Sequence, residues 1–202
     1  MTRRKDGSVK FILAMDCETS AICWGARNLA TDETNPSRYA QPVSWGILIP
    51  DADTYEEIAG MYIEIKRDGK SMWDERAESI HGLSKAYLEE HGVSEEDAVI
   101  QILNLIYKYF GNGSIMALGH NVAFDIAFME EMCLRYGIKP TFGSRRIDSM
   151  SIGHPLLGIR TSDELFEAVG LRDRNTHNAL EDIAMTVEAI RRIRRIFREG
   201  LE

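Results

Sequence analysis

The sequence has little cysteine and no long apolar segment. Its three cysteines, Cys17, Cys23 and Cys133, are an odd number without a Cys-x-x-Cys pair, which argues against a disulfide framework and against a cysteine-based zinc site. No apolar run approaches the roughly 18 residues that a membrane-spanning helix needs. The apolar stretch after the basic N-terminus is too short for a secretory signal. We therefore expect a cytoplasmic protein that does not act at a membrane.

Positive charge is scarce relative to negative charge. The 202 residues include 24 Lys and Arg against 32 Asp and Glu, which gives a formal net charge of −8. This balance argues against a protein that coats nucleic acid through bulk charge. It is compatible with an enzyme that meets phosphates through metal ions held by carboxylates. The composition is globular, and the length suits one domain over residues 1–202 with a core at about 10–198.

Apolar runs predict five strands. A nearly continuous apolar run at residues 9–15 is typical of a strand that is buried on both faces. The next two predicted strands are separated by a turn at residues 50–54, which indicates an antiparallel hairpin. A polar loop is expected over residues 24–41. The predicted strands after the first are residues 43–49, 58–65, 115–118 and 146–150.

Helical periodicity dominates the second half of the chain. Ser94 and Asp97 resemble a capping box at the start of a helix that ends before Gly111. Asn121 is expected to cap the next helix, which ends before Gly137. Two later helices are expected at residues 162–169 and about 179–198. Strands followed by alternating strands and helices predict an α/β fold, with a mixed five-stranded sheet flanked by helices.

Asp16 and Glu18 follow the first apolar run. Residues two apart on a strand point to the same face, roughly 6–7 Å from one another, so both carboxylates can serve one site. An isolated Asp-x-Glu is also typical of a strand that runs out into solvent.

Asp125 lies on the apolar side of its predicted helix, in line with Val122, Met129 and Met132. A carboxylate at a buried position is unfavourable unless a charge, hydrogen bonds or a metal ion compensates it. Its position is therefore consistent either with a structural role, such as pairing with a buried arginine or a second helix cap, or with metal binding.

His177 and Asp182 stand five residues apart at the start of the last predicted helix. Asp182 borders the apolar stripe of that helix, although an acidic residue in a first turn also simply stabilises the helix dipole. A histidine in a loop is usually a surface residue, but its titration near neutral pH suits a proton acceptor. Together with the three earlier acids, these residues suggest a site for Mg²⁺ or Mn²⁺, which prefer oxygen ligands.

Three segments resemble the motifs of the DEDDh 3′–5′ exonucleases. They are residues 15–19 (MDCET), 119–128 (GHNVAFDIAF) and 177–182 (HNALED), and residues 80–84 (IHGLS) are similar to a further segment that the family often carries. The resemblance spans about residues 10–190. It implies a ribonuclease H-like fold and removal of nucleoside monophosphates from single-stranded 3′ ends with two Mg²⁺ or Mn²⁺ ions.

The resemblance also implies roles for individual residues. Asp16, Glu18, Asp125 and Asp182 would be the metal ligands, and His177 would be the general base. The tyrosine-bearing relatives carry Tyr four residues before the last aspartate, where this chain has Asn178. The histidine class is therefore the better fit.

Substrate contacts are less closely specified. The family often has a second hydroxyl residue and then glycine after Asp-x-Glu-Thr, whereas this chain has Ser20 and Ala21, and the 24–41 segment is longer than usual. Aromatic rings at helical spacing can stack on bases but are also typical of a core. The candidate substrate-binding residues are Thr19, Ser20, Asn121, Phe124, Phe128, Arg172 and Arg174.

Other functions remain compatible with the same fold. An endonuclease or strand-transfer enzyme would act on circular substrates but gives no reason for a histidine five residues before the last acid. A non-catalytic nucleic-acid-binding module would not need to keep the metal ligands. The expected partners are single-stranded DNA or RNA 3′ ends, and a homodimer or an association with a polymerase is compatible with the sequence.

Overall fold

The computed structural model describes residue 7 and residues 9–21, 40–171 and 177–199. These residues form a single five-stranded sheet in the order β3-β2-β1-β4-β5. The strands are β1 (Leu13–Thr19), β2 (Pro42–Pro50), β3 (Glu57–Glu64), β4 (Ile115–Gly119) and β5 (Phe142–Asp148). The helices of the described ranges are α1 (Glu75–His81), α2 (Lys85–His91), α3 (Glu95–Phe110), α4 (Val122–Leu134), α5 (Ser149–Leu157), α6 (Ser162–Ala168) and α7 (Ala179–Glu199).

The sheet is mixed, as predicted. Strands β1, β2 and β3 form an antiparallel meander, while β4 and β5 run parallel to β1. The α/β class and the mixed five-stranded sheet are therefore confirmed. Strand β1 lies at the centre of the sheet, at the point where the pairing changes from antiparallel to parallel. The carboxyl end of a strand at such a switch point is a favourable place for a site, because the neighbouring connections diverge there.

Successive residues of β1 pack against different layers. Ala14 belongs to a buried cluster with Ile183 and Val187 of α7. Met15, the next residue, belongs to the larger core cluster, which includes Ile102 of α3 and other residues of α3 and α4. This alternation follows from the two-residue period of a strand. It places α7 on one face of the sheet and α3 with α4 on the other, and no helix within the described ranges is long and apolar enough to cross a bilayer.

The first and last strands begin and end at other residues than predicted. The first strand was expected at residues 9–15, but β1 starts at Leu13 and continues through the two carboxylates to Thr19, because it pairs with β2 up to Pro42. The strand expected at 146–150 is the second half of β5, and residue 149 already begins helix α5. Strand β5 is an edge strand with exposed arginines, so its sequence lacks the apolar alternation of a buried strand.

Two short helices between β3 and α3 were not predicted. Helix α1 ends at Gly82, which adopts a left-handed conformation with φ of 73°, and Ser84 then caps α2 by accepting a hydrogen bond from the Tyr87 backbone N–H. The IHGLS segment therefore forms the corner between two helices of seven residues each. Such short helices depend on their caps and on packing more than on periodicity.

Cys17 and Cys133 are buried free thiols. Cys23 and most of the polar loop expected at 24–41 lie outside the described residues.

Candidate active site

Asp16 and Glu18 lie in the second half of β1, and both are half-buried. Their side chains project from the same sheet face as Ala14, which packs against α7. Across the antiparallel ladder, Asp16 is paired with Gly46 and Glu18 with Ser44 of β2. The central strand therefore presents two carboxylates toward the beginning of α7.

The beginning of α7 is held by Asn178. Its side-chain oxygen accepts hydrogen bonds from the backbone N–H groups of Leu180 at 3.0 Å and Glu181 at 3.2 Å. The Asp182 N–H donates to the Asn178 carbonyl at 2.8 Å. Asn178, at the position where the tyrosine-bearing relatives carry Tyr, is therefore the cap of the helix. This cap fixes Asp182 within the first turn and His177 just before it.

Three of the predicted residues meet in one cluster. Glu18, His177 and Asp182 each offer a ligand atom, and these atoms all lie within 4.8 Å of one another. His177 Nδ1 is 3.5 Å from Asp182 Oδ2. The Asp182 side chain is only 8% exposed, whereas that of His177 is 40% exposed. The carboxylate is thus held in the protein while the imidazole remains accessible to water.

Asp125 reaches the same strand from the opposite layer. It lies in α4 and is 2% exposed, as its position on the apolar side of the helix had predicted. The pairing of β1 with β4 ends at Ala14 and Leu118. Beyond that point the Cys17 backbone N–H donates to Asp125 Oδ1 at 3.0 Å. The carboxylate thus takes the place of a strand partner at the carboxyl end of β1.

The burial of Asp125 has an electrostatic consequence. Burial raises the pKa of Asp125 from 3.8 to about 8, the hydrogen bonds from Cys17 oppose this rise, and the negative charge of Glu18 adds to it. Burial, together with the nearby Asp125, also raises the pKa of the Cys17 thiol well above its usual range. Cys17 is therefore a neutral side chain here, and the groups of β1 that can carry negative charge at this end are the carboxyl groups of Asp16 and Glu18.

The donor set fits a hard divalent cation. Glu18 and Asp182 bring carboxylate oxygens within 4.8 Å of one another, and Asp125 is buried within electrostatic range of Glu18. Carboxylates that are gathered in this way repel one another, and a bound cation relieves that repulsion. Oxygen-rich sites suit Mg²⁺, Mn²⁺ or Ca²⁺ better than soft metals.

The hydroxyl groups of Thr19 and Ser20 take part in the local backbone structure. Both residues are buried. Thr19 Oγ1 donates to the Ala21 carbonyl at 3.0 Å, and Ser20 Oγ accepts from the Gln41 N–H at 2.9 Å. The bond between Ser20 and Gln41 holds the end of β1 against the residue that precedes β2. Arg172 and Arg174, two further predicted contacts, lie outside the described residues.

The α4 candidates differ in their surroundings. Asn121 occupies the N-cap position of α4, as predicted, but it is in a left-handed conformation and its side chain forms no capping hydrogen bond. Its backbone N–H instead donates to Asp148 Oδ1 at 3.0 Å. Phe124 is half-buried beside Asp125, whereas Phe128 is 2% exposed and packs in the core. A ring so deeply buried has no face for a base, so the stacking role expected of Phe128 does not fit the structure.

Gln41 lies at the border of the site, next to the end of β1, and the sequence pattern did not predict a role for it. Its amide is fully buried: it donates to the Lys66 carbonyl at 2.7 Å and accepts from the Asp68 N–H at 3.0 Å and from the Ser71 hydroxyl at 3.3 Å. It thereby ties the segment after β3 to the end of β1. Its burial arises from non-local contacts, and no local pattern in the sequence signals it.

The fold and site together define an acidic, metal-binding type of α/β domain, and the sequence comparison narrows this class. The chain belongs to the RNase T family, whose model is described as exonuclease and matches residues 13–190. This confirms the resemblance to the DEDDh exonucleases. Exonucleases of this family generally use divalent metal ions. No curated protein sequence matches the chain significantly.

Solved structures with the same fold include two complexes of E. coli exonuclease I. The zinc-bound form with single-stranded DNA is 16% identical, with a TM-score of 0.71, over 91% of this chain and 40% of that one. The complex with a dT13 oligonucleotide is 17% identical, with a TM-score of 0.72, over 94% and 43%. A 3′-exonuclease that recognises the histone mRNA stem-loop is 12% identical, with a TM-score of 0.68, over 91% and 63%. The chain thus spans about two fifths of the exonuclease I chains.

Proposed function

We propose that the protein is a divalent-metal-dependent 3′–5′ exonuclease that releases nucleoside 5′-monophosphates from single-stranded nucleic acid. The observation that carries this proposal is the meeting of Glu18, His177 and Asp182 within 4.8 Å at the carboxyl end of β1. These residues come from two distant parts of a chain that belongs to an exonuclease family. The same domain is proposed to span residues 1–202, with a core at about 10–198.

Four carboxylates would hold the metal. Asp16 and Glu18 would supply ligands from β1, Asp125 from α4 and Asp182 from α7, for two Mg²⁺ or Mn²⁺ ions. When bound, such a pair stabilises both the attacking and the leaving oxygen of a phosphodiester. The carboxylates give this site its negative charge and determine where the metal ions would bind. Asp125 must be ionised to act as a ligand. Its raised pKa opposes that ionisation, and a bound cation would lower the pKa and favour the carboxylate.

His177 is proposed as the general base. Its Nδ1 lies near Asp182 Oδ2, which favours one ring orientation, and its exposure leaves the ring accessible to a water molecule. The imidazole would accept the proton of the attacking water. The leaving group is the 3′ oxygen of the shortened strand, and the product is a nucleoside 5′-monophosphate. Removing such a base lowers a rate by about 10²–10⁴-fold.

Single-stranded 3′ ends are the proposed substrate. Exonuclease I structures contain single-stranded DNA, and the other neighbour recognises the 3′ end of an mRNA stem-loop. Both DNA and RNA are therefore included in the proposal. The residues proposed to contact the terminal nucleotides are Thr19, Ser20, Asn121 and Phe124, with Arg172 and Arg174.

A degradation ladder tests the proposal. Single-stranded DNA and RNA oligonucleotides labelled at the 5′ end are incubated with Mg²⁺, Mn²⁺ or EDTA, beside a circular DNA and a 3′-phosphorylated oligonucleotide. Asp16→Asn serves as the variant expected to be inactive. Metal-dependent shortening from the 3′ end, with the circle intact, is the expected result. A nicked circle would instead indicate an endonuclease, and binding without cleavage would indicate a non-catalytic module.

The cellular setting is a further part of the proposal. A cytoplasmic location is checked by fractionation of the expressing cells. Whether the protein forms a homodimer is determined from the molar mass of the purified chain, measured by light scattering. An association with a polymerase, in which the exonuclease would remove mispaired 3′ ends, is checked by measuring cleavage of a mispaired primer with and without a polymerase.

A further inference from the structure

Gly46 lies where the first turn of α7 meets the sheet. It occupies β2 directly opposite Asp16 of β1. A Cβ atom built on Gly46 would lie 2.2 Å from both the carbonyl carbon and oxygen of Ala179 and 2.3 Å from the Leu180 nitrogen. These three atoms belong to the backbone. The α7 helix therefore begins in direct contact with the backbone of β2, at a place that has no room for a side chain.

We propose that Gly46 is a positioning residue of the active site, because it sets the distance between the β1 carboxylates and the catalytic groups of α7. This inference rests on the proposed function of the same site. Ala179 is two residues from His177 and three from Asp182, so a displacement of this backbone is transmitted to both side chains. On the neighbouring strand β1, the residue paired with Gly46 is Asp16. One glycine thus fixes both halves of the site relative to each other.

The required displacement is large on the scale of catalysis. Ordinary contacts of a Cβ begin at about 3.4 Å, so a methyl group at position 46 would move the first turn of α7 by about 1.2 Å. A rotamer change cannot relieve a clash with backbone atoms. A misplacement of about 1 Å can lower a rate by about 100-fold.

The rest of α7 is anchored, which confines the movement to its first turn. Ile183 and Val187 are buried against the sheet. Near the other end, Arg194 donates to the Asp53 carbonyl, and its guanidinium stands 5.3 Å from the centre of the Tyr55 ring. With these contacts in place, the helix cannot slide away as a rigid rod. The first turn, which carries Asp182 and directly follows His177, must therefore shift relative to β1.

The test compares Gly46→Ala with two matched glycine variants. In Gly92→Ala, the new Cβ also meets backbone atoms, with Leu88 O and Lys66 N at 2.7 Å, but it lies at the end of α2. In Gly60→Ala, on the same sheet, the nearest atom is Leu48 Cδ2, at the end of a side chain, at 2.8 Å. The kcat and KM on a single-stranded oligonucleotide, the Mn²⁺ affinity by titration calorimetry, and the Tm are measured for each variant.

Gly46→Ala is expected to lower kcat by about 100-fold and to weaken Mn²⁺ binding, while KM changes by less than about threefold. Gly92→Ala and Gly60→Ala should keep the wild-type kcat and Mn²⁺ affinity below their Tm. Wild-type kcat and Mn²⁺ affinity in folded Gly46→Ala would overturn the inference. An equal loss in Gly92→Ala would also overturn it, since general destabilisation would then account for the effect.

Two further measurements keep the inference testable if the wild type is inactive or if Gly46→Ala does not fold. An inactive wild-type chain would contradict the proposed function, but the Mn²⁺ affinities of the variants would still test the role of Gly46. If Gly46→Ala does not fold, Ala179→Val adds volume at a fully buried residue whose backbone contacts Gly46. A folded Ala179→Val variant should show the same loss of kcat at nearly unchanged KM, and wild-type kcat in that variant would overturn the inference.

Discussion

Replacing Asp125 with asparagine should stabilise the metal-free protein, and the gain should increase with pH. Asparagine has nearly the same shape as aspartate, and its side-chain oxygen can still accept the Cys17 N–H that now binds Asp125 Oδ1. The substitution therefore removes the titrating charge while it keeps the hydrogen bond. The same variant should lose exonuclease activity, because the amide is a poor substitute for a carboxylate ligand.

The sign follows from the pKa of Asp125. Burial raises it from 3.8 to about 8 in the folded chain, so between these values the folded state binds more protons than the unfolded state. Stability that is present at low pH is then lost as the pH rises through this window. The slope for one group is at most about 1.4 kcal/mol per pH unit. By pH 7 the wild type would have lost up to about 4 kcal/mol that Asp125→Asn retains.

Urea unfolding followed by circular dichroism provides the measurement. Wild type and Asp125→Asn are unfolded in EDTA at pH 5, 6, 7 and 8. Glu130→Gln serves as the control, since it removes one negative charge from a half-buried position of the same helix. The difference in unfolding free energy between Asp125→Asn and wild type should widen with each pH step, whereas that of Glu130→Gln should remain nearly constant.

Parallel stability curves for wild type and Asp125→Asn would refute this reasoning, because they would show that Asp125 does not titrate in this range. The metal provides the complementary check. Since a ligating carboxylate must be ionised, Mn²⁺ should stabilise the wild type more at pH 8 than at pH 6. Asp125→Asn should show little of this dependence.

Three further substitutions have defined outcomes. His177→Ala should lower kcat by about 10²–10⁴-fold with little change in Mn²⁺ affinity by calorimetry, and complete loss of metal binding would contradict the general-base role. Gln41→Ala should lower the unfolding free energy by about 2–3 kcal/mol in urea, since it strands the buried partners of the amide; an unchanged value would show that water replaces the amide. Arg192→Ala should lower it by about 1 kcal/mol, because Arg192 holds the Val169 and Gly170 carbonyls. The affinity of Arg192→Ala for single-stranded DNA should depend on salt concentration as it does in wild type. A smaller slope of log affinity against log salt would reveal a phosphate contact.

Local patterns predicted the long elements well. The α3 helix starts at the capping box of Ser94 and ends before Gly111, and α7 follows its apolar stripe from Ala179. The β2–β3 hairpin also lies where the apolar runs and the turn placed it. These elements carry their own signals, because a repeated apolar face and a cap recur within a few residues. Helices α1 and α2 and the edge strand β5 lack such repetition, and they were missed or misplaced.

The sequence pattern did not predict which side chains of α4 are exposed. Phe124 and Phe128 lie one turn apart on α4 and are chemically identical, yet Phe128 is in the core and Phe124 is half-buried beside the site. The difference depends on which neighbouring strand and helix each ring meets. Asn121 likewise occupies the position before α4, but its left-handed backbone turns its side chain away from capping.

The sequence by itself determined the chemistry available to this protein: three motifs carry the carboxylates of Asp16, Glu18, Asp125 and Asp182 and the imidazole of His177, in an order typical of the exonuclease family. Only the tertiary structure decided how these groups act together. It buries Asp125 beside Glu18, which raises its pKa, and it seats the first turn of α7 on Gly46, opposite Asp16. The physical reason is that residue types and periodicity are local properties, whereas desolvation and the distances between side chains depend on segments that are far apart in the chain.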